Sequence, residues 1–412
     1  MSTTRLPVAG STTEPERAAS PPRTVLFGWG FRPFFLAAGI YAFAPLLVWL
    51  FEFSTGTDLT ARWSAMFFHG HEMVFGFAAA AVTGFLLTAV PNWTGTDRVH
   101  GPKLAALAAL WLAGRVAMWC SAWLPAWLVT VVDLALFPTL ALTLAGPLIR
   151  AKRARNMPFP VLLLVLFAAN LLTHLQVLGV AHTMRLGLHL GIYVLVMLIL
   201  IVGGRITPAF TSGALRKAGS GLELRPAFRY EPVATIGAAA LALVLDLAKA
   251  PAAWTASVSL LAGLLVAWRL FRWRSVRTWR WPIVWILHIG YGFVALGFLT
   301  RAVDGFFGVM TATTTLHAFT AGAIGTMILA VMTRAALGHS GRTIVASPPI
   351  VIAYLLVVAG ALVRVFTPEL VAPAKYPQAV VIGGVIWAAG YLLFTVIYAP
   401  ILIRPRVDGR PG

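Results

Sequence analysis

The sequence predicts an all-α, polytopic membrane protein of about 12 transmembrane helices. Three observations carry that prediction. Hydrophobic residues make up 59% of the chain and charged residues only 11%, far from the composition of a soluble domain. Apolar stretches of about 20 residues, the length that spans a bilayer as a helix, recur along the chain. Alternating ten-residue strand patterns do not occur, so a membrane β-barrel is not expected.

In order, residues 1–25 are rich in Pro, Ser, Thr and Arg without an apolar core. They read as a disordered cytoplasmic tail rather than a signal peptide. Twelve spans are then expected near 31–51, 68–91, 102–123, 125–149, 158–180, 186–204, 232–248, 254–271, 282–303, 313–333, 348–366 and 378–402. Together they form one membrane domain over 26–403, and 404–412 reads as a cytoplasmic tail. The longest connections, roughly Phe53–Phe67 and Arg205–Glu231, are too short to fold alone.

The net charge of +19 raises nucleic acid as a partner, but its distribution answers otherwise. In a 12-span arrangement, 25 of the 32 Lys and Arg fall on the side that holds both termini. Only Arg62, Arg185, Lys249, Arg301 and Lys375 fall on the other, while Arg115 and Arg364 lie within spans. Such asymmetry places both termini in the cytoplasm. The basic loops then meet anionic lipid headgroups, and no nucleic-acid partner is expected.

His69-Gly70-His71-Glu72 opens the second apolar run, and ionisable groups at or in a bilayer mark function by default. His189 opens the sixth run and His317 the tenth. The distance from His71, His189 and His317 to a Pro- or Gly-containing turn is 20, 19 and 20 residues. This echo divides the domain into three four-helix repeats, about 26–157, 158–280 and 281–403, a layout that places shared sites at repeat interfaces.

Spans 2, 6 and 10 run in the same direction, so His69, His71, His189 and His317 share one depth near the outer face. His174 lies about 16 residues along span 5, roughly 24 Å at the helical rise, and joins them with His182. His100, His288 and His339 fall at the other side. Histidine without thiolate suits copper or haem iron. Cys120 is the only cysteine, so any haem would be non-covalent. Residues 69 and 71 point to opposite faces of a helix and cannot share one metal. Glu72, three beyond His69, is placed to orient its ring. Tyr193 lies one turn from His189. Arg115 and Arg364, costly inside spans, are expected to pair with acids such as Glu72 or with haem propionates, and Asn170 to bond between helices.

Five stretches together resemble the NnrS family of bacterial haem- and copper-containing membrane proteins. They are Gly30–Leu36 (GFRPFFL), His69–Met73 (HGHEM), Leu87–Gly95 (LTAVPNWTG), Gly203–Pro208 (GGRITP) and His317–Arg342, ending in MTRAALGHSGR. The resemblance implies a multi-pass protein of the bacterial inner membrane, tied to nitric oxide metabolism and relief of nitrosative stress. It leaves open whether a reaction is catalysed and what the electron donor is. His69-Gly70 with Met73 and Phe75 is also similar to the haem-ligand helix of haem–copper oxidases, and His189 with Tyr193 to their copper helix. A His-His pair on span 7 and a second histidine on span 10 are missing here, so oxygen reduction is not implied.

These readings give haem b held by His69 or His71 together with His317, with Arg115 near it. Copper is expected at His189, with His174 or His182 as co-ligands. Glu72, Tyr193 and Arg364 would support the two sites. The ligand would be nitric oxide or a related small molecule. The alternative is a transporter of copper or another metal species, for which purified protein would be colourless.

Overall fold

The apolar stretches separated by short polar breaks fold into helices throughout. The computed structural model describes residues 25–57, 59, 62–152 and 154–410. The tail expected over 1–25 therefore lies, but for Val25, outside the described residues. Among the described residues there are no strands and twelve long helices. They are α1 (Phe31–Thr55), α2 (Ala65–Thr94), α3 (Gly101–Trp119), α4 (Ala126–Arg150), α5 (Pro158–Val177) and α6 (Met184–Lys217). The remainder are α7 (Glu231–Leu247), α8 (Ala252–Arg272), α9 (Pro282–Phe307), α10 (Ala312–His339), α11 (Pro348–Leu370) and α12 (Tyr376–Ile403).

Ten of these are long and apolar enough to cross a membrane, so the chain is a multi-pass membrane protein. The expected count of twelve is met by helices but not by self-sufficient spans. α3 has 19 residues, with Lys103 and Arg115 lowering its hydropathy, and α7 has 17 residues.

α2, α6 and α10 form the centre. α2 packs on α6, α6 on α10, and α10 on α2. The most apolar windows of α2, α6, α9 and α10 are 67–78% buried, whereas those of the other six spans are 39–50% buried. The difference separates core helices from a lipid-facing ring. α2, α6 and α10 share a second feature, a π-helical segment at Glu72–Ala78, Ile199–Gly203 and Ala318–Gly325 respectively. Such wide turns are rare and shift the face a helix presents. Between the three helices lies an apolar cavity of about 80 Å³, walled by residues such as Val82, Phe85, Leu198, Val202, Ile328 and Val331.

The turns expected after the histidine runs fall later than the sequence predicts. Pro91 sits in the last turn of α2, and α6 continues past Pro208 to Lys217. Proline removes one backbone donor, but α6 still gains a polar, basic final turn, so the long loop shrinks to residues 218–230. α2 ends at Gly95, whose φ of +69° is the left-handed conformation glycine adopts cheaply.

The described ends of the chain meet. The Val25 amide donates to the Ile403 carbonyl at 3.3 Å. Buried Arg32 donates to the carbonyls of Leu402 at 2.8 Å and Arg404 at 2.7 Å. The GFRPFF stretch thus clasps α1 to the end of α12, which places both ends at one face. Residues 404–410 continue along that face, and Arg406 donates to the His339 carbonyl at 2.8 Å.

Candidate functional site

The six histidines that share a depth in the sequence lie at one end of the bundle, but they divide among separate environments. His69 and His71 are two residues apart on α2 and face different neighbours, as helical geometry requires.

The first environment is a buried polar cluster between α1, α2, α3, α4 and α5. His71 Nδ1 lies 2.8 Å from Glu72 Oε1, and its Nε2 lies 2.9 Å from Asn170 Oδ1 and 3.3 Å from Asp133 Oδ2. Arg115 donates to Glu72 at 2.6 Å and pairs with Asp133 through its other terminal nitrogen. His174 Nε2 lies 2.9 Å from the same Asp133 oxygen, and its Nδ1 3.2 Å from Thr130 Oγ1. The Tyr41 hydroxyl donates to Glu72 and accepts from Trp119 Nε1 at 2.8 Å. Trp63 covers both imidazoles, with ring centroids 5.0 Å from His71 and 5.5 Å from His174.

Gly76, in the π segment of α2, lets Tyr41 and Arg115 approach. A Cβ there would lie 2.5 Å from the Tyr41 ring and 3.2 Å from Arg115. The carbonyl of Gly76 accepts from Trp111 Nε1 at 3.1 Å.

The second environment joins α1, α2, α10, α11 and α12. The His69 ring stacks on Trp49 with centroids 4.3 Å apart and 22° between planes. His317 donates from Nδ1 to the Thr313 carbonyl at 2.9 Å, one turn back on α10. His69 and His317 lie close enough for their charges to interact, and the Arg364 guanidinium acts on both. Two buried nitrogens here have no hydrogen-bond partner among the described residues, Nδ1 of His69 and Nη1 of Arg364. Buried polar atoms are rarely left so, and each such case asks for a missing partner.

The third environment surrounds His189, which donates from Nδ1 to the Arg185 carbonyl at 2.8 Å. Tyr193 lies edge-on to it at 6.0 Å, and the tyrosine hydroxyl donates to Asp246, which also pairs with Arg301.

This arrangement corrects several expectations. The copper set of His189 with His174 or His182 does not assemble. Thr130 and Asp133 hold His174 against α4, and His182 is exposed in the α5–α6 turn. Glu72 orients His71, not His69, because adjacent side chains on this helix turn into the same cluster. Arg115 pairs with Glu72 as expected but stands with His71, away from the His69–His317 pair. Tyr193 turns to Asp246. Asn170 bonds between helices, as expected, and does so inside the first environment. Sequence reasoning misses Asp133, although an acid between Val132 and Leu134 is the same signal that singles out Arg115.

Donor chemistry separates the first two environments. Around His71 and His174 stand two carboxylates against one guanidinium. Around His69 and His317, Nδ1 of His69 and Nη1 of Arg364 are buried without a partner, and among the described residues no carboxylate pairs with Arg364.

Comparison with known families gives a match over nearly the whole chain. The family described as NnrS protein matches residues 25–406. Among curated proteins, none matches the chain.

Proposed function

Since the chain belongs to the NnrS family, a membership that fits a membrane protein of the nitric oxide response, we propose that it is a haem b protein of the bacterial inner membrane that binds nitric oxide and limits its damage to cellular iron. The observation that carries this reading is the His69–His317–Arg364 group, with its two unpartnered buried nitrogens. His69 and His317 would hold the iron. The bond from His317 Nδ1 to Thr313 leaves Nε2 as the free lone pair, the tautomer a metal ligand needs. Stacking on Trp49 holds the plane of the His69 ring. Arg364 would neutralise a propionate by a charge-assisted hydrogen bond.

Bound haem iron supplies an affinity for nitric oxide that no side chain has. The protein supplies access. Nitric oxide is a small apolar gas that partitions into the bilayer, and the cavity between α2, α6 and α10 is apolar throughout its wall. Copper bound to imidazole belongs to the same reading, at a place other than His189.

The test is the visible spectrum of purified protein. Wild type should show a haem absorption with imidazole ligation. His69→Ala and His317→Ala should strip or convert it, and His100→Ala should leave it unchanged. Full haem content with native spectra in both ligand variants would overturn the assignment, and a colourless wild type would favour metal transport.

A further inference from the structure

The cluster around His71 contains an acceptor conflict. Glu72 Oε1 is a carboxylate oxygen that accepts from His71 Nδ1 at 2.8 Å, so Nδ1 carries the ring hydrogen. Nε2 of a neutral ring is then a bare lone pair. It faces two more acceptors, Asn170 Oδ1 at 2.9 Å and Asp133 Oδ2 at 3.3 Å. Turning the amide over does not help. Asn170 Nδ2 donates to Asp133 Oδ2 at 2.7 Å, and the flip would set the amide oxygen against that carboxylate.

Charge points the same way. The side chains of Glu72 and Asp133 are both 0% exposed, and among the described residues Arg115 is the one permanent cation paired with them. One buried negative charge is left over, and an uncompensated buried charge is strongly unfavourable. The cluster is short of one cation.

We propose that a first-row transition-metal ion binds between His71 Nε2, His174 Nε2 and Asp133 Oδ2, with Asn170 Oδ1 as a fourth donor. The three groups each offer a ligand atom within 4.8 Å of the others. Donors around a tetrahedral metal at ~2.0–2.1 Å stand ~3.3 Å apart. The separation of His71 from Asp133 is 3.3 Å, and that of His174 from Asp133 is 2.9 Å, so small movements complete the site. Two imidazoles and a carboxylate suit zinc, copper, iron or nickel rather than magnesium or calcium.

The surroundings already orient both rings. Glu72 takes the Nδ1 hydrogen of His71, and Arg115 and Tyr41 fix Glu72. Thr130 gives its own hydrogen to the Ala126 carbonyl at 2.8 Å, so its oxygen is free to accept from His174 Nδ1 at 3.2 Å. That leaves His174 Nε2 for the metal. The site deepens the copper half of the reading above and does not depend on the haem.

Chelator-stripped protein in detergent, titrated with Co2+ and passed through gel filtration, should retain one Co2+ per chain by elemental analysis. His189→Ala should retain the same amount. His174→Gln and Asp133→Asn should bind at least ~10-fold more weakly. Stripped wild type should also melt at a higher temperature once Co2+ is added, a readout that requires no variant to fold. Equal retention in wild type and His174→Gln would overturn the site. So would a wild type that binds no metal and shows His71 doubly protonated by nitrogen NMR. Metal present as purified separates this inference from the copper reading. Zinc lost in His174→Gln keeps the site and removes copper, whereas copper kept in His174→Gln removes the site and keeps copper.

Discussion

His69 and His71 belong to one turn of one helix, yet they serve surroundings of opposite electrical character. Around His71, acceptors outnumber donors and the net charge is negative. Around His69, one guanidinium nitrogen of Arg364 and one imidazole nitrogen are buried with no hydrogen-bond partner among the described residues. The first surrounding calls for a cation, the second for a group with both a metal and an anion. Neighbouring positions on a helix can thus be committed to different occupants, and the imbalance of donors and acceptors says which.

The largest expected effect comes from removing the one guanidinium of the acceptor-rich cluster. Arg115→Met leaves the Glu72 and Asp133 carboxylates buried without their guanidinium, and breaking such a pair costs about 3–5 kcal/mol. A thermal melt of the detergent-solubilised variant should show a large loss of stability. A wild-type melting temperature would mean that the negative charge of the cluster is already balanced.

Arg364→Gln should act on the other cluster alone. Losing a charge-assisted bond to a propionate, worth about 1.5–3 kcal/mol, should loosen haem about 10–100-fold with metal at His174 unchanged. Haem transfer to an apo-acceptor protein measures it. Equal retention would break the proposed pairing of Arg364 with an anion.

A smaller effect is expected from Glu72→Gln, which keeps a hydrogen-bond acceptor for His71 but removes its charge. Loss of such an orienting partner costs about 10–100-fold in metal affinity, here toward the lower end, with haem unchanged. The smallest effect is expected from His189→Ala, whose ring is tied to the Arg185 carbonyl and stands apart from both clusters. Haem and metal content should both match wild type. Loss of metal there would move the metal site to α6.

Much of this is legible in the amino-acid sequence. Apolar runs mark all twelve helices, ten of them long and apolar enough to cross a membrane, because a membrane-embedded backbone must satisfy its own hydrogen bonds. The incompatibility of His69 and His71 follows from a two-residue step on a helix, and the pairing of Arg115 with Glu72 follows from the cost of a buried charge. What the sequence reports poorly is azimuth. Depth puts His174 beside His189, but helix packing turns His174 toward Asp133 on α4 instead. The π segments of α2, α6 and α10 shift the exposed face by an amount no apolar pattern records. Asp133 is visible as an acid within an apolar run, yet its role rests on four partners, His71, Arg115, Asn170 and His174, from three other helices.

The separation of the two occupants is tested most directly by haem and non-haem metal measured together in His69→Ala and His174→Gln. The account predicts crossed losses: His69→Ala loses or converts haem and keeps metal, whereas His174→Gln keeps haem and loses metal. Parallel loss of both in each folded variant would contradict it and make the two clusters parts of one site.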